Sequence, residues 1–483
     1  MSAEDIMSLL PVVILAGGIL LTLLLVALRR SHIMAFALTM AILTTSLIAA
    51  FFTRPETPHV IGELFLIDRF GYYYLALILL ATLVVAIFSY LSLRDFFPEK
   101  RREEYYLLLM LATLGSAMIV FSTHFISFFV SLELLSVSLY ALIAYYRERT
   151  KAIEAGLKYL MLAALSASFL LLGMALVYAI SGTMAFSSLA SITPDLSATG
   201  NLMLIAGIAL MIVGIGFKLA AVPFHMWTPD VYEGASSPIS AFIATVSKGS
   251  IVALLLRFFI MADLYRFETI LWVFTIISIL SMLIGNLLAL MQNNIKRILA
   301  YSSIAHFGYL LVALIAGKEM GPPAATFYLT VYVITILAAF GLITLFSKSQ
   351  EEATDIEAYR SLFWKKPFLA VAFTVSLLSL AGIPLTAGFI GKFFVLTAGV
   401  GTAQWLLAFT LVIGSVIGLY YYLRIIVVML KQEGDTIPMA RLSGASSLLT
   451  GSLALIILTV LMIWIGIYPS WLVDLVNSLL IES

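Results

Sequence analysis

Residues 214–248 read GIGFKLAAVPFHMWTPDVYEGASSPISAFIATVSK and set Lys218, Pro223, His225 and Lys248 inside or between two apolar segments of membrane-spanning length. Lys218 lies near the end of the apolar run that starts at about Asn201, and Pro223 interrupts that run where a helix then loses a backbone hydrogen bond. A broken helix with a charge beside the break is the usual form of an intramembrane ion site. Lys248 falls about midway along the next apolar run, Pro238 to Ile260, out of easy reach of either headgroup layer. Keeping a charge at that depth costs roughly 3 kcal/mol on insertion scales. A cost of that size points to function.

Outward from this stretch the whole chain is apolar. Of its 483 residues 62% are hydrophobic and 11% charged, and the mean hydropathy is +1.10. A soluble domain is nearer half apolar and a quarter charged, so the fold class expected is an all-α polytopic membrane protein. A formal charge of +1, with the basic residues in loops, excludes a strongly basic nucleic-acid binder. The absence of cysteine excludes disulfides, thiolate zinc sites and iron–sulfur ligation by this chain. Glu4 and Asp5 precede the first apolar run, which reads as a retained membrane helix rather than a signal peptide.

A span needs about 20 apolar residues. That rule gives fourteen, at about 7–28, 33–52, 70–93, 105–121, 124–146, 154–181, 200–222, 238–260, 268–291, 298–316, 323–347, 367–399, 404–430 and 445–468, with a short interfacial helix in the tail from Pro469 to Ser483. Odd-numbered loops hold seventeen Lys or Arg and even-numbered loops four, so the odd loops are expected in the cytoplasm and both termini in the periplasm. Six basic residues remain within spans: Lys158, Lys218, Lys248, Arg257, Lys392 and Arg424.

The break recurs. Leu219-Ala-Ala-Val-Pro223 in span 7 is answered by Leu380-Ala-Gly-Ile-Pro384 in span 12, and Arg257 in span 8 by Arg424 in span 13. An offset of five spans makes the two copies cross the membrane in opposite senses, the inverted-repeat plan of transporters. The expected organisation is residues 1–100 with helices 1–3, 101–265 with helices 4–8, 266–435 with helices 9–13, and 436–483 with helix 14 and the tail. Helices 7 and 12 are broken.

Glu133 is the only carboxylate near the middle of a span. Unpaired it would protonate; beside Lys218 both could stay charged, either as a static pair between two helices or as a switchable one. For Lys218 the alternative to a relay is snorkelling; for Lys248 that alternative is weak, because either interface is about 15 Å away at 1.5 Å per residue. Lys392 follows the second break, eight residues past Pro384, approached by Gly388 and Gly391. His225 and His306 are secondary candidates as proton shuttles, each with a structural donor role as the alternative. Lys158 is one turn from Glu154 and is either an access-path residue or half of a local pair. Arg257 and Arg424 read as structural, since a group that never loses its proton is a poor relay. Neither a nucleotide fingerprint nor a metal-ligand cluster is present, and the YYY runs at Tyr72 and Tyr420 read as belt or packing residues.

The segments GFKLAAVPFHMWTPDVYEGASSPISAFIATVSK (216–248), LMQNNIKRILAYSSIAHFGYLLVALIAG (290–317) and LSLAGIPLTAGFIGKFFVL (378–396) closely resemble the antiporter-like membrane subunits of respiratory complex I, the bacterial proton-pumping NADH:quinone oxidoreductase. The likeness runs over nearly the whole chain. It implies a fourteen-helix subunit of a translocase with broken seventh and twelfth helices. It also implies a proton relay in which a helix-5 glutamate (Glu133) pairs with a helix-7 lysine (Lys218), a helix-8 lysine (Lys248) is central, and a helix-12 lysine (Lys392) ends the line. The resemblance implies no cofactor in this chain, with NADH, FMN, iron–sulfur clusters and quinone elsewhere in the complex. The partners implied are other membrane-arm subunits, notably an antiporter-like sister, chain M, and the small chain K, within the lipid bilayer of the inner membrane. The sequence ends soon after span 14, which argues against the sister that carries a long lateral helix. Two other functions fit the same pattern: an autonomous sodium/proton antiporter, and a structural scaffold of the membrane arm.

Overall fold

The computed structural model describes residues 3–55, 57–96, 102–190, 198–347, 352–432 and 445–479. The helices in chain order are α1 (Ala3–Ser8), α2 (Leu10–Leu28), α3 (His32–Phe52), α4 (Arg69–Phe96), α5 (Glu103–Phe121), α6 (Phe125–Ile143) and α7 (Thr150–Ser181). Then follow α8 (Ala198–Leu219), α9 (Trp227–Gly234), α10 (Ser237–Phe242), α11 (Lys248–Met261), α12 (Glu268–Leu290), α13 (Ile295–Ile315) and α14 (Gly321–Phe346). The last are α15 (Leu362–Lys365), α16 (Pro367–Ala381), α17 (Ala387–Gly401), α18 (Trp405–Leu430), α19 (Ala445–Ile467) and α20 (Ser470–Ser478). A two-stranded hairpin, His59–Ile61 with Phe65–Ile67, connects α3 to α4.

Among the described residues thirteen helical segments are long and apolar enough to cross a membrane, and α16 and α17 are shorter apolar helices in series. The chain is a multi-pass membrane protein. Both breaks fall where the prolines place them. Helix α8 stops at Leu219, four residues before Pro223, with Ala220 in the left-handed region at φ 58°. Helix α16 stops at Ala381, three residues before Pro384, with Gly382 at φ 83°. The eighth span is not a uniform α-helix: a π turn, Ile243–Ser247, separates α10 from α11 immediately before Lys248. Single-turn π segments are frequent at functional sites. Tail helix α20 stacks Trp471 on Trp464 at 5.2 Å. The expected domain boundaries at 100/101 and 435/436, the end of the tail at Ser483, and the loop residues Lys100, Arg101, Lys348 and Arg441 lie outside the described residues.

Burial sorts the helices into an inside and an outside. The spanning window of α10–α11 is 100% buried, that of α13 94% and that of α14 89%, against 39% for α2, α3 and α7. The polar side chains that cannot face lipid are therefore gathered on the central helices. Ion pairs also sort the connections. Lys151–Glu233, Arg297–Asp230 and Lys296–Glu352 tie together the connections after α6, α9, α12 and α14. His59–Asp5 joins the hairpin to the N-terminal segment, and Lys318–Asp263 joins the connections after α13 and α11.

One set of contacts occurs twice, 170 residues apart. The His124 side chain caps α6 and its backbone bridges to Ala185; Asn294 caps α13 and bridges to Asp355. Phe125 N donates to Met184 O (2.8 Å) and Phe186 N to Thr123 O (2.9 Å); Ile295 N donates to Thr354 O (2.6 Å) and Ile356 N to Asn293 O (3.0 Å). Gly115 packs on the backbone of Ser131 and Leu135, as Gly285 does on that of Tyr301 and Ala305. Arg257 Nε donates to Val120 O (3.1 Å), and Arg424 Nη1, 167 residues later, to Leu290 O (3.4 Å).

Candidate functional site

At the first break the backbone groups freed by the missing helix turn are met locally, as irregular backbone at membrane depth requires. Ser281 Oγ accepts from Val222 N (2.9 Å), Gly216 O from Ala221 N (2.9 Å), and Phe217 O from Trp227 Nε1 (3.0 Å). Lys218 sits in the last turn of α8 and is 4% exposed. It does not snorkel. Its Nζ donates to Ser136 Oγ on α6 at 2.7 Å and lies 5.5 Å from the centre of the Tyr159 ring. Glu133 stands three residues before Ser136, on the same face of α6, and its Oε1 is buried without a hydrogen-bond partner. Among the described residues no ion pair joins Glu133 to Lys218, and the hydroxyl of Ser136 is the lysine's partner.

Lys248 is fully buried. Its Nζ donates to Ser303 Oγ on α13 at 2.9 Å and lies 4.8 Å from the Phe307 ring centre and 5.6 Å from that of Tyr232. Ser303 also accepts from Tyr332 Oη at 2.9 Å, with Tyr232 Oη 3.4 Å away. One turn further along α13, His306 Nδ1 bonds Tyr328 Oη (2.6 Å) and Nε2 faces Tyr422 Oη (3.3 Å), itself bonded to Ser302. A turn beyond, the Tyr309 ring lies 5.1 Å under Lys392 Nζ, and its hydroxyl accepts from Asn286 Nδ2 (3.0 Å). Asn286 Oδ1 in turn accepts from Tyr421 Oη (3.0 Å). Lys392 Nζ donates to Ala381 O, the last residue of α16, at 2.9 Å.

Ser303, His306 and Tyr309 are therefore one stripe of α13, about 9 Å long at 1.5 Å per residue, with Lys248 at one end and Lys392 at the other. A cavity of about 10 Å³ opens between His306, Tyr328, Val331, Tyr332, Ser379 and Leu380. A second cavity of about 10 Å³, between Leu219, Leu255 and Phe307, is apolar. Among the described residues no hydrogen bond joins Lys218 to the partners of Lys248.

Of the remaining candidates, Lys158 forms the local pair that its spacing from Glu154 offers. It pairs with Glu154 at 2.7 Å and Asp230 at 2.8 Å, and it lines a cavity of about 220 Å³ with Lys151, Glu154, Asp230 and Glu233. Those last two carboxyls, in the connection between spans, are partly buried, which works against ionisation. Hydrogen bonds from Lys158 and Arg297 to Asp230, and from Lys151 and Arg297 to Glu233, nevertheless hold both below the usual carboxylate range. His225 is buried, its Nδ1 has no partner, and it bonds none of the relay lysines. Arg257 forks onto Asp68 (2.9 and 2.8 Å), and Arg424 caps the end of α12 through Leu290 O and Gln292 O. Both are structural ties.

Sequence reasoning passed over the hydroxyl partners. Ser302, Ser303, His306 and Tyr309 recur at helical spacing, a polar stripe legible in YSSIAHFGY, of which only His306 was singled out. Tyr421 and Tyr422, read as belt or packing residues, are fully buried around that stripe. Lys296, counted as a loop charge, is 0% exposed and paired with Glu352; no local signal marks a partner 56 residues away. Among the described residues no group of three His, Asp or Glu is arranged to hold a metal.

Residues 122–418 match the family described as NADH:quinone oxidoreductase/Mrp antiporter, transmembrane, so the bundle with its broken helices and buried lysines is of the antiporter-like class. The chain is 42% identical over 99% of its length to NADH-quinone oxidoreductase subunit N of Ectopseudomonas mendocina, covering 97% of that protein. It is 42% identical over 98% of its length to subunit N of Methylococcus capsulatus, covering 95% of that one. It belongs to the subunit N family of NADH-quinone oxidoreductases. Among solved structures it is similar to a chain of respiratory complex I from Thermus thermophilus (TM-score 0.81, 31% identity, 96% of this chain and 98% of that one). It also shares its fold with a chain of the Mrp complex from Dietzia sp. (TM-score 0.84, 23% identity, 99% and 97% of the two chains).

Proposed function

We propose that this chain is a proton-translocating subunit in the membrane arm of a bacterial NADH:quinone oxidoreductase, with no redox centre of its own. The observation that carries the reading is the stripe of Ser303, His306 and Tyr309 between two buried lysines, Lys248 and Lys392. Structural ion pairs would satisfy their charges with carboxylates; these two ammonium groups instead meet a hydroxyl, a carbonyl and aromatic rings. Such contacts leave a lysine able to release its proton.

In this reading electron transfer to quinone elsewhere in the complex shifts charge along the arm and changes the distance between Glu133 and Lys218. Ser136, which holds Lys218 next to Glu133, is the contact that would be exchanged. The proton displaced passes through Lys248 and His306 to Lys392 and leaves on the far side. Lys158 belongs to the access path, and His225 is a reserve shuttle beside the break. The contacts repeated at 170 residues support two five-helix units, 101–265 and 266–435, in opposite orientation, since an odd number of spans separates them. The excess of basic residues in the odd loops supports an inner-membrane protein with those loops in the cytoplasm and both termini periplasmic. The membrane-arm neighbours expected are the antiporter-like chain M and the small chain K.

The test is the proton-to-electron ratio of the assembled complex carrying Lys218→Ala or Glu133→Ala. Both substitutions should lower it sharply while NADH oxidation by the peripheral arm persists. An undiminished ratio in both removes the mechanism. Sodium/proton exchange by the purified chain alone in liposomes would favour an autonomous antiporter instead.

A further inference from the structure

The proton relay needs an inlet, and around Lys158, already placed on its access path, the structure gathers further charges with no role assigned above. The cavity of about 220 Å³ lined by Lys151, Glu154, Lys158, Asp230 and Glu233 has equal polar and apolar character and faces the connections after α6 and α9. Its floor is Glu233. The carboxylate of Glu233 turns outward, to Lys151 at 2.7 Å and Arg297 at 3.0 Å. Its backbone carbonyl turns inward and accepts from Lys296 Nζ at 3.3 Å.

Lys296 is 0% exposed, and its three donors are all used: on Glu233 O, on Ala235 O at 2.5 Å and on Glu352 Oε2 at 2.6 Å. The other oxygen of Glu352 accepts from Ser237 N at 2.8 Å. The pair thus grips the joint between α9 and α10 from both sides of Ser236. A buried ion pair of this kind is often no more stable than apolar packing of the same volume, so stability alone does not account for it. At that same joint the hydroxyl of Ser237, 0% exposed, has no hydrogen-bond partner, and that of the neighbouring Ser236, 2% exposed, has only the hydroxyl of Tyr105 beside it. Buried hydroxyls are rarely left unmet in native proteins, and where no protein group meets one a buried water commonly does.

Inward from the joint, the path to Lys248 is short. Ser303 lies seven residues after Lys296, on the same face of α13 and about 10 Å along it, with the small Ala300 between them on that face. Tyr232, the residue before Glu233, places its hydroxyl 3.4 Å from Ser303 Oγ, to which Lys248 Nζ donates. The joint also stands where the first five-helix unit meets the second, since Glu352 follows α14 and Lys296 opens α13.

We propose that protons enter the relay at this junction, and that Glu352 and Lys296 carry them from the Glu233 basin to the Ser303 end of Lys248. The inference rests on Lys248 being a relay group. In one cycle Glu352 takes a proton from the basin. The Lys296 ammonium gives one inward, over water at Ser236 and Ser237 and the hydroxyls of Tyr232 and Ser303, to the neutral amine of Lys248. Glu352 then passes its proton to the neutral amine of Lys296. The pair returns to ammonium and carboxylate with one proton moved.

The experiment compares Lys248→Met, Lys296→Arg and Glu352→Gln in the assembled complex in proteoliposomes. Arginine keeps the charge and the donors of Lys296 but does not release its proton, so a structural clamp survives Lys296→Arg and a proton carrier does not. All three variants should lose this chain's share of pumped protons. Loss in Lys248→Met alone, with normal ratios in the other two, overturns the inlet and leaves the relay standing; a normal ratio in Lys248→Met overturns both. Because the natural chain has no cysteine, Ser236→Cys gives an independent reading even if Glu352→Gln fails to assemble. In inside-out vesicles it should react with the charged, water-soluble reagent aminoethyl methanethiosulfonate at least tenfold faster than Leu255→Cys, which lines the apolar cavity. Equal, slow labelling at both positions overturns the hydrated inlet.

Discussion

Ser303→Ala is the sharpest single perturbation of the proposed relay, because one atom serves three neighbours. Its Oγ accepts from Lys248 Nζ at 2.9 Å and from Tyr332 Oη at 2.9 Å, with Tyr232 Oη at 3.4 Å. A hydrogen bond to a charged group contributes about 1.5–3 kcal/mol, and a buried hydroxyl left without its partner costs about 1–3 kcal/mol more. The rings of Phe307 and Tyr232 remain to hold the ammonium, so Lys248 stays in place but loses its route onto α13. If the bond to Ser303 is made in the transfer step, losing about 1.5–3 kcal/mol slows that step by about 10- to 150-fold at 1.36 kcal/mol per tenfold. NADH-driven acidification of proteoliposomes, read with a pH-sensitive dye beside the rate of NADH oxidation, measures it. Ser303→Thr keeps the hydroxyl and should pump near the wild-type ratio. The reasoning fails if Ser303→Ala pumps normally in an assembled complex. It fails equally if Ser303→Thr is as impaired as Ser303→Ala, since packing rather than the hydroxyl would then be the cause.

The repeated contacts predict paired outcomes: a Cβ at Gly115 would stand 2.7 Å from Leu135 N, and one at Gly285 would stand 2.8 Å from Ala305 N, both against backbone that cannot give way. Gly115→Ala and Gly285→Ala should therefore destabilise the detergent-solubilised protein to a similar degree, by about 1–3 kcal/mol as for other overpacked cores, with thermal unfolding as the measurement; a loss at one site alone would contradict equivalent packing in the two units. Arg257→Met leaves the partly buried Asp68 without its cation, with only Gly71 N still donating to it; removing one partner of a buried pair costs about 3–5 kcal/mol and less where the group left behind is partly exposed, so assembly of the complex should fall below that of Arg257→Lys. Asp230 and Glu233 are held below their ordinary values near 4. Depressed carboxyls stabilise the fold above their unfolded values, and that contribution is lost as pH falls through the lower folded values. The protection factors of the α9 amides, taken against the intrinsic exchange rate at each pH, should be unchanged from pH 7 to pH 5 and fall only below about pH 4; a fall already at pH 6 would show that these ion pairs do not hold α9.

Much of the fold was legible because the bilayer is a severe solvent. Every span is an unbroken apolar run unless a proline stops it, and Pro223 and Pro384 fall within four residues of the observed helix ends. The lysines at 218, 248 and 392 stood out for the same reason, as charges where charge is costly. Their partners did not stand out, because a serine or tyrosine costs little in an apolar helix and gives no signal alone. Ser136 and Ser303 became visible only when α8 and α11 were set against α6 and α13. The expected contact between Glu133 and Lys218 illustrates the limit: helix-face reasoning brings the two side chains to one region but does not decide which of two acceptors, three residues apart on α6, receives the ammonium. Lys296 escaped for the opposite reason. It sits at a helix end in a basic loop, where a charge is unremarked, and only the fold buries it.

The two breaks also resolve a mismatch that the linear repeat leaves open. Aligning Leu219–Pro223 with Leu380–Pro384 places Lys218 opposite Ser379 and Lys392 opposite Val231, so the lysines are not equivalent in sequence. In three dimensions they meet the same need. Lys218 belongs to the last turn of α8, at the negative end of that half-helix. Lys392 lies beyond its break, on α17, yet its side chain folds back past Gly382 and caps Ala381 O at the negative end of α16. A Cβ at Gly382 would stand 2.7 Å from Lys392 Cδ, so the left-handed glycine both ends α16 and clears the path for the lysine stem. At each break one lysine thus stands at the carbonyl end of the half-helix before it, Lys392 through its ammonium and Lys218 through its place in the last turn, where the aligned peptide dipoles favour a cation. The position of the charge, rather than that of the residue, is what the two halves have in common.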